Sequence, residues 1–318
     1  MTGVQKAKVD VSIDPDQRAD AAASSVLRGL LAVVADNIDG AVGGEDIEYL
    51  HQLRIAVRRS RTVQRQLSGV FPAVELPGFR SDFRWLQRAT GDARDLDVYV
   101  DEFGSLAKLL PEAQRDDLEP MRQVLHEHRL AAREGLELTL RSRRTAELID
   151  DWERLLESLV ELPLEDRPDA ARTIADVCGE RIAKVYRRIV AMGEAISDSS
   201  PAEDFHELRK KGKELRYLLE LFGLQLFDAD VVGPLVDSLK QLQELLGRHQ
   251  DREVQVMMVR SLTGEVALRP GGGAACLAMG TLVARLRDDE LAARRAFADS
   301  FSELAAADRR AAVNDSLG

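Results

Sequence analysis

Cysteine occurs only twice in 318 residues, at Cys178 and Cys276, too few and too far apart for a disulfide framework or a metal site, so each reads as a small buried residue of a helix. Aromatic residues make up 5% of the chain, and the four tyrosines and two tryptophans are scattered, without the regular interleaving by which a single-strand nucleic-acid reader stacks bases. No apolar run follows the opening MTGVQKAKVD, and no uninterrupted span reads as long enough to cross a bilayer, so the expectation is a cytoplasmic protein without a membrane partner. Sustained strand alternation is missing, as are a nucleotide-binding glycine loop and the HExxH, P-loop and GxSxG patterns. The nearest histidine motif, HELRK at His206–Lys210, lacks the second histidine of a zinc-protease helix. A binding protein without catalytic residues, metal or cofactor is therefore expected. Spacing alone leaves open a metal-dependent phosphohydrolase built on the aspartates near Asp92, Asp95, Asp97 or Asp251.

What the chain does have is charge laid out on helices. A hydrophobic content of 45% excludes general disorder, and 31% charged residues, with Leu, Ala, Arg and Glu throughout, favour an all-α protein with charged faces. The length suits two helical bundles, each with a real core. The balance is acidic, 44 basic against 55 acidic residues for a net charge of −11, which argues against an indiscriminate nucleic-acid coat but leaves the field inside a cleft undetermined.

The stretch HQLRIAVRRSRTVQRQLSGVF, His51 to Phe71, puts Leu53, Val57, Ser60, Val63 or Gln64 and Leu67 on one helical stripe. His51, Arg54, Arg58, Arg61 and Arg65 follow one position later as a second stripe. The segment HELRKKGKELRYLLELF, His206 to Phe222, repeats the construction with Leu208, Gly212, Leu215, Leu219 and Phe222 beside His206, Arg209, Lys213 and Arg216. The offset is 155, and at an offset of 156 Gly91, Asp95 and Val98 match Gly247, Asp251 and Val254. Two matches in the same order imply an internal duplication with one residue inserted or lost between them. Cations crowded on two matched helices of an acidic protein repel one another unless carboxylates or an anion compensate them.

Taken in order, the chain reads as a tail over 1–16, a first helical repeat over 17–162, a linker at PLEDRP (163–168), a second repeat over 169–306 and a polar tail over 307–318. Ser200-Pro201-Ala202-Glu203 reads as a capped helix start, TGEVALRPGGG as an exposed loop. Gly212 on an apolar stripe predicts close helix approach. Arg84 and Arg88 recur at helical spacing, Arg129 and Arg133 are i,i+4 neighbours that would extend a basic surface, and Arg181, Lys184, Arg187 and Arg188 form a further basic cluster; with Lys240 these complete the candidate cations.

The paired motifs HQLRIAVRRSR and HELRKKGKELRY, each followed by GDARDLDV or GRHQDREV, resemble the CHAD domain, the conserved-histidine α-helical domain, over nearly all of the chain after the tail. The resemblance implies two similar four-helix bundles around a basic groove or pore that binds inorganic polyphosphate. By motif it carries over His51, Arg54, Arg58, Arg59 and Arg61, and His206, Arg209, Lys210, Lys213 and Arg216. Arg59 departs to Glu214 and Arg65 to Glu220 in the other copy, which puts a strictly symmetric pore in doubt. The implied roles are targeting to polyphosphate granules or regulation of polyphosphate metabolism, with proteins of that metabolism as partners. The physical reading agrees: arginine forks and lysine point charges hold phosphates without reading bases. RNA or DNA remains the alternative ligand, because phosphate-binding cations do not identify the polymer. Arg54, Arg58 and Arg61 are expected to face one groove with Arg209, Lys213 and Arg216, and Arg59 and Lys210, off the stripes, to contribute less.

Overall fold

The computed structural model describes residues 3–197 and 199–317, and everything regular among them is helical; the one β-bridge joins Arg18 and Thr173. Helices α1 (Ala19–Asp36) and α2 (Ile38–Gly43) lead into α3 (Ile47–Gln66), which starts where Asp46 accepts a hydrogen bond from the Glu48 amide at 2.7 Å. After a turn come α4 (Leu76–Ala89), α5 (Gly91–Asp101) and the short α6 (Phe103–Ala107), then α7 (Glu119–Leu140) and α8 (Arg143–Ser158). The second half runs through α9 (Ile174–Glu194), α10 (Ala202–Leu218), a π-turn (Leu219–Gly223), α11 (Leu224–Leu226), α12 (Ala229–Ala267), α13 (Gly272–Arg295), α14 (Phe297–Leu304) and α15 (Ala307–Leu317). Ser142, Thr173 and Asp228 cap α8, α9 and α12 through their side-chain oxygens.

The all-α expectation is met, but the packing does not divide at the linker. One core joins α1, α3, α4 and α8 to α9, α10, α14, α15 and the first half of α12. The other joins the start of α7 (Met121, Val124, Leu125) to the far half of α12 (Val259, Leu262, Val266) and to α13 (Met279, Leu282, Leu286). Each core therefore draws on both halves. The stretch 163–168 is a tied junction and not a free linker: Arg167, with 0% of its side chain exposed, pairs with the equally buried Asp20 at 2.9 Å and donates to the carbonyls of Val70 and Leu162.

The N-terminal tail is extended, as expected, and is tied down as a strap: Gln5 exchanges hydrogen bonds with Asn37, the Ala7 amide donates to Gln52 and the Ile13 amide to Gln225, with Ala7 and Ile13 buried. Sequence patterns misplace three further segments. The expected tail from 307 is helix α15, held on α9 by the buried Val313 and Leu317; residues 1, 2 and 318 of the two tails lie outside the described residues. TGEVALRPGGG is helical to Ala267 and then turns tightly into α13 through Gly271, whose φ of 77° favours glycine, while a Cβ on Gly272 would stand 2.4 Å from the Val266 carbonyl. The start of α10 has no side-chain cap: Pro201 occupies the capping position and the Ser200 hydroxyl instead accepts from the Ser197 amide.

Contrary to the expectation of no such span, Ala19–Gly43 is apolar and long enough, by length and composition, to cross a bilayer. Its apolar face is the core's: Leu27, Leu30 and Val34 are buried, and α1 packs on α3, α8 and α9.

Candidate phosphate-binding site

The extended segments leading into α1 and α9 pair reciprocally, the Ala19 amide donating to the Arg172 carbonyl at 2.9 Å and the Ile174 amide to the Gln17 carbonyl at 2.8 Å. Both partners are related by the 155-residue offset, since 19 and 174, and 17 and 172, differ by that number. The same reciprocity recurs where α3 meets α10. Arg59 pairs with Glu220 at 2.5 Å and Arg65 with Glu214 at 2.9 Å; position 59 corresponds to 214 and position 65 to 220. The two departures from the shared motif are thus partners of each other. Were both members of each pair arginine, cation would face cation across the seam; one acid in each pair turns the repulsion into an ion pair.

Beside that seam lies a cleft of about 440 Å³. Helix α3 contributes Arg58, Arg61 and Arg65, α4 contributes Gln87, and α10 contributes His206, Arg209, Lys210, Lys211 and Lys213, with Glu207, Glu214, Thr62 and Tyr217 completing the wall. Some of these cations are already held. Arg209 reaches Asp251 at 3.4 Å, Lys210 pairs with Glu207, and the buried Glu214 accepts from Arg65, Lys211 (3.0 Å) and Gln66. Arg58, Arg61 and Lys213 have no carboxylate partner among the described residues; Arg61 donates to Gln87, and Arg58 only weakly to the Arg54 carbonyl at 3.4 Å.

The electrostatic signature of this deficit is at Lys213. Burial, then repulsion from Arg209 and Arg58, pushes its ammonium down to about 7, with Arg216 adding to the repulsion and Asp251 opposing it. Arg61 is lowered by burial and then by Arg65, Arg84 and Arg88, so the exposed pair on α4 extends the same positive field. Burial followed by repulsion from Arg94 lowers His51, which favours its neutral imidazole. His206, by contrast, lines the cleft with its Nδ1 against Gln250 Oε1.

Of the six stripe cations expected to share one groove, the cleft holds Arg58, Arg61, Arg209 and Lys213, and omits Arg54 and Arg216. Arg54 points inward and donates to the Gln87 carbonyl and the Thr90 hydroxyl, both at 2.7 Å, closing the last turn of α4; burial, the largest influence, lowers it to about 10. Arg216 lies 3.4 Å from Glu220 and over the Tyr217 ring. Arg59, expected to matter less, is turned away from the cleft to Glu220 and the Ala7 carbonyl, while Lys210, also expected to matter less, does line it.

The second sequence match acquires a physical reason here. A Cβ on Gly91 would stand 3.9 Å from the Arg54 guanidinium, and one on Gly247 would stand 3.7 Å from that of Arg209, so in each half a glycine lies beneath an arginine. Asp95 is the acid that most opposes the lowering of Arg54, and Asp251 lies 3.4 Å from Arg209. The helix breaks at Thr90 in the first half and continues through Leu246 in the second; Arg54 reaches the Gln87 carbonyl at that helix end, and Arg209 turns to Asp251 instead. Gly212 makes a lesser approach, since its Cβ would stand 3.5 Å from Gln243, an ordinary contact.

The remaining candidates do not join the cleft. Arg129 and Arg133 clasp the buried Asp97 at 2.7 and 3.4 Å and so tie α7 to α5. Lys240 pairs with Asp237 on its own helix, and Arg187 faces α15 beside Arg310 and Asn314. Arg188 lines a second cleft, with Arg181 and Lys184. The residues missed are Lys211, legible as part of the cationic run from Arg209 to Arg216 but off its stripe, and Gln87 and Tyr217, which carry no sequence signal. Among the described residues no group of three or more His, Cys, Asp and Glu is placed to hold a metal ion. Cys178 is buried as expected, and burial pushes its thiol far above the ordinary range; Cys276, expected to be buried, is only partly so.

A family model described as the CHAD domain matches residues 25–260, about three quarters of the chain. The uncharacterized proteins MT2285 and Rv2226, from two strains of Mycobacterium tuberculosis, are each 27% identical over 220 residues, which is 68% of this chain and 40% of theirs. The chain thus spans about two fifths of the length of these curated relatives. The crystal structure of the CHAD domain from the plant Ricinus communis superposes with a TM-score of 0.76 at 26% identity, covering 95% of this chain and 96% of that one. PptA from Streptomyces chartreusis, at 18% identity and a TM-score of 0.69 over 90% of this chain and all of its own, shares the fold.

Proposed function

The chain belongs to the CHAD family, and on that premise we propose that its central cleft binds inorganic polyphosphate without catalysing a reaction on it. The observation that carries the reading is the trio Arg58, Arg61 and Lys213: cations brought together by α3 and α10 and left without carboxylates, where burial and then repulsion from Arg209 and Arg58 lower the Lys213 ammonium to about 7. Such a cluster costs stability in the free protein and is relieved by an anion with several closely spaced charges. Arginine supplies paired donors to phosphate oxygens and lysine a mobile charge. Base stacking finds no platform in the cleft, because its aromatic residue, Tyr217, is buried and already lies under the Arg59 and Arg216 guanidiniums.

The test is competition between long-chain polyphosphate and RNA or DNA at equal phosphate concentration, over a series of salt concentrations. Polyphosphate should win, and its affinity should fall as salt rises through counterion release. Replacing Arg58, Arg61 and Lys213 together by glutamine should reduce the salt slope by about 2, at roughly 0.7 per lost phosphate contact. The same number of replacements at Arg141, Arg143 and Arg144, each beside its own acid outside the cleft, should do less. Circular dichroism and size exclusion establish first that both variants are folded. Equal or tighter binding of nucleic acid, or folded cleft variants with unchanged affinity and slope, refutes the reading.

A further inference from the structure

The central cleft does not end at Arg65 and Lys211. Both side chains also line a second cleft of about 320 Å³, whose far wall is Arg181, Lys184 and Arg188 on α9. Glu214, with 2% of its side chain exposed, holds Arg65 and Lys211 from below and so fixes two cations at the pass between the clefts. Arg181 is partly neutralised by Asp169 at 3.0 Å, whereas Lys184 and Arg188 are exposed and have no acidic partner among the described residues.

The duplication offset gives a second, independent observation. The 155-residue counterparts of Arg181, Lys184 and Arg188 on α1 are Val26, Gly29 and Val33, of which the two valines are buried. The α9 cations are thus present in one half only. A helix that needed merely to pack as α1 does has no use for them, and the divergence adds positive charge at one end of the central cleft alone.

We propose that the α9 cleft is a second phosphate subsite, continuous with the central one across Arg65 and Lys211, so that a long polyphosphate chain is gripped in both while a short chain is held in the central cleft alone. This rests on the reading of the central cleft as a polyphosphate site. Its consequence is selection for chain length: the far subsite adds phosphate contacts only when the polymer is long enough to cross the pass.

The experiment measures tripolyphosphate and long-chain polyphosphate, each over a salt series, with the unmodified protein, Lys184→Gln/Arg188→Gln, Arg58→Gln/Arg61→Gln, and Arg285→Gln/Arg287→Gln. The last pair lies exposed on α13, lines neither cleft, and changes net charge by the same amount. Expected for Lys184→Gln/Arg188→Gln are tripolyphosphate affinity within twofold of the unmodified protein, long-chain affinity at least tenfold weaker and a shallower long-chain salt slope. Arg58→Gln/Arg61→Gln should weaken both ligands, and Arg285→Gln/Arg287→Gln neither. If the unmodified protein binds both ligands and the α9 variant still binds the long chain as tightly, the second subsite is refuted while the central site stands. Equal weakening of both ligands by the α9 variant, or long-chain loss matched by the α13 variant, also refutes it, because a general field and not a subsite would then be at work. If the unmodified protein binds neither ligand, the central reading falls and the second subsite with it.

Discussion

Replacing Lys213 by glutamine isolates the cleft cation whose charge changes near neutral pH. In the free protein its ammonium sits at about 7 against an ordinary 10.5, so one pH unit below that value about nine tenths of the molecules carry the charge and one unit above it about one tenth. A bound phosphate offsets the burial and the repulsion from Arg209 and Arg58, and so returns the group toward its ordinary range. The bound state then keeps a proton that the free state loses, and binding takes up protons above pH 7. Affinity should accordingly be insensitive to this group below pH 7 and weaken as pH rises past it. A recovery of two pKa units corresponds to about 2.7 kcal/mol, a factor on the order of a hundred between pH 6 and pH 9. Titration calorimetry at constant ionic strength gives the affinity at each pH, and the ratio of unmodified protein to Lys213→Gln cancels the titration of the ligand's own phosphates. A ratio that stays constant from pH 6 to pH 9 refutes the assignment of this charge to the site.

Without ligand, the unfolded chain binds more protons at Lys213 than the folded one between about pH 7 and 10.5, so thermal stability relative to Lys213→Gln should rise across that window, the penalty being full below pH 7; thermal melts at a series of pH values check the sign. Arg59→Glu sets two acids face to face at Glu220 and should cost about 1–3 kcal/mol, most of it recovered by adding Glu220→Arg, as a double-mutant cycle in urea would show. Arg167→Met leaves Asp20 with Arg18 alone and strands the Val70 and Leu162 carbonyls, so denaturant unfolding should register a loss of about 3 kcal/mol or more.

The sequence alone determined which residues form each cationic helix and which stripe is buried. Leu53, Val57, Ser60 and Val63 are buried where their 3.6-residue spacing put them, Asp46 caps α3, and Gly91 opens a new helix. These are local signals, complete within a turn or two of chain. Tertiary structure decided what each cation does. Arg54 and Arg58 share a stripe, yet one closes the end of α4 and the other faces the cleft, because the choice depends on which helix end lies alongside. The same holds for α12, which continues through Gly247 because contacts along its length with α7, α10 and α13 outweigh the weak helix propensity of one glycine. Periodicity marked the two similar cationic helices but not their crossing, and only the crossing pairs Arg59 with Glu220 and Arg65 with Glu214, turning two departures from the shared motif into a seam that leaves Arg58, Arg61 and Lys213 beside it without acids.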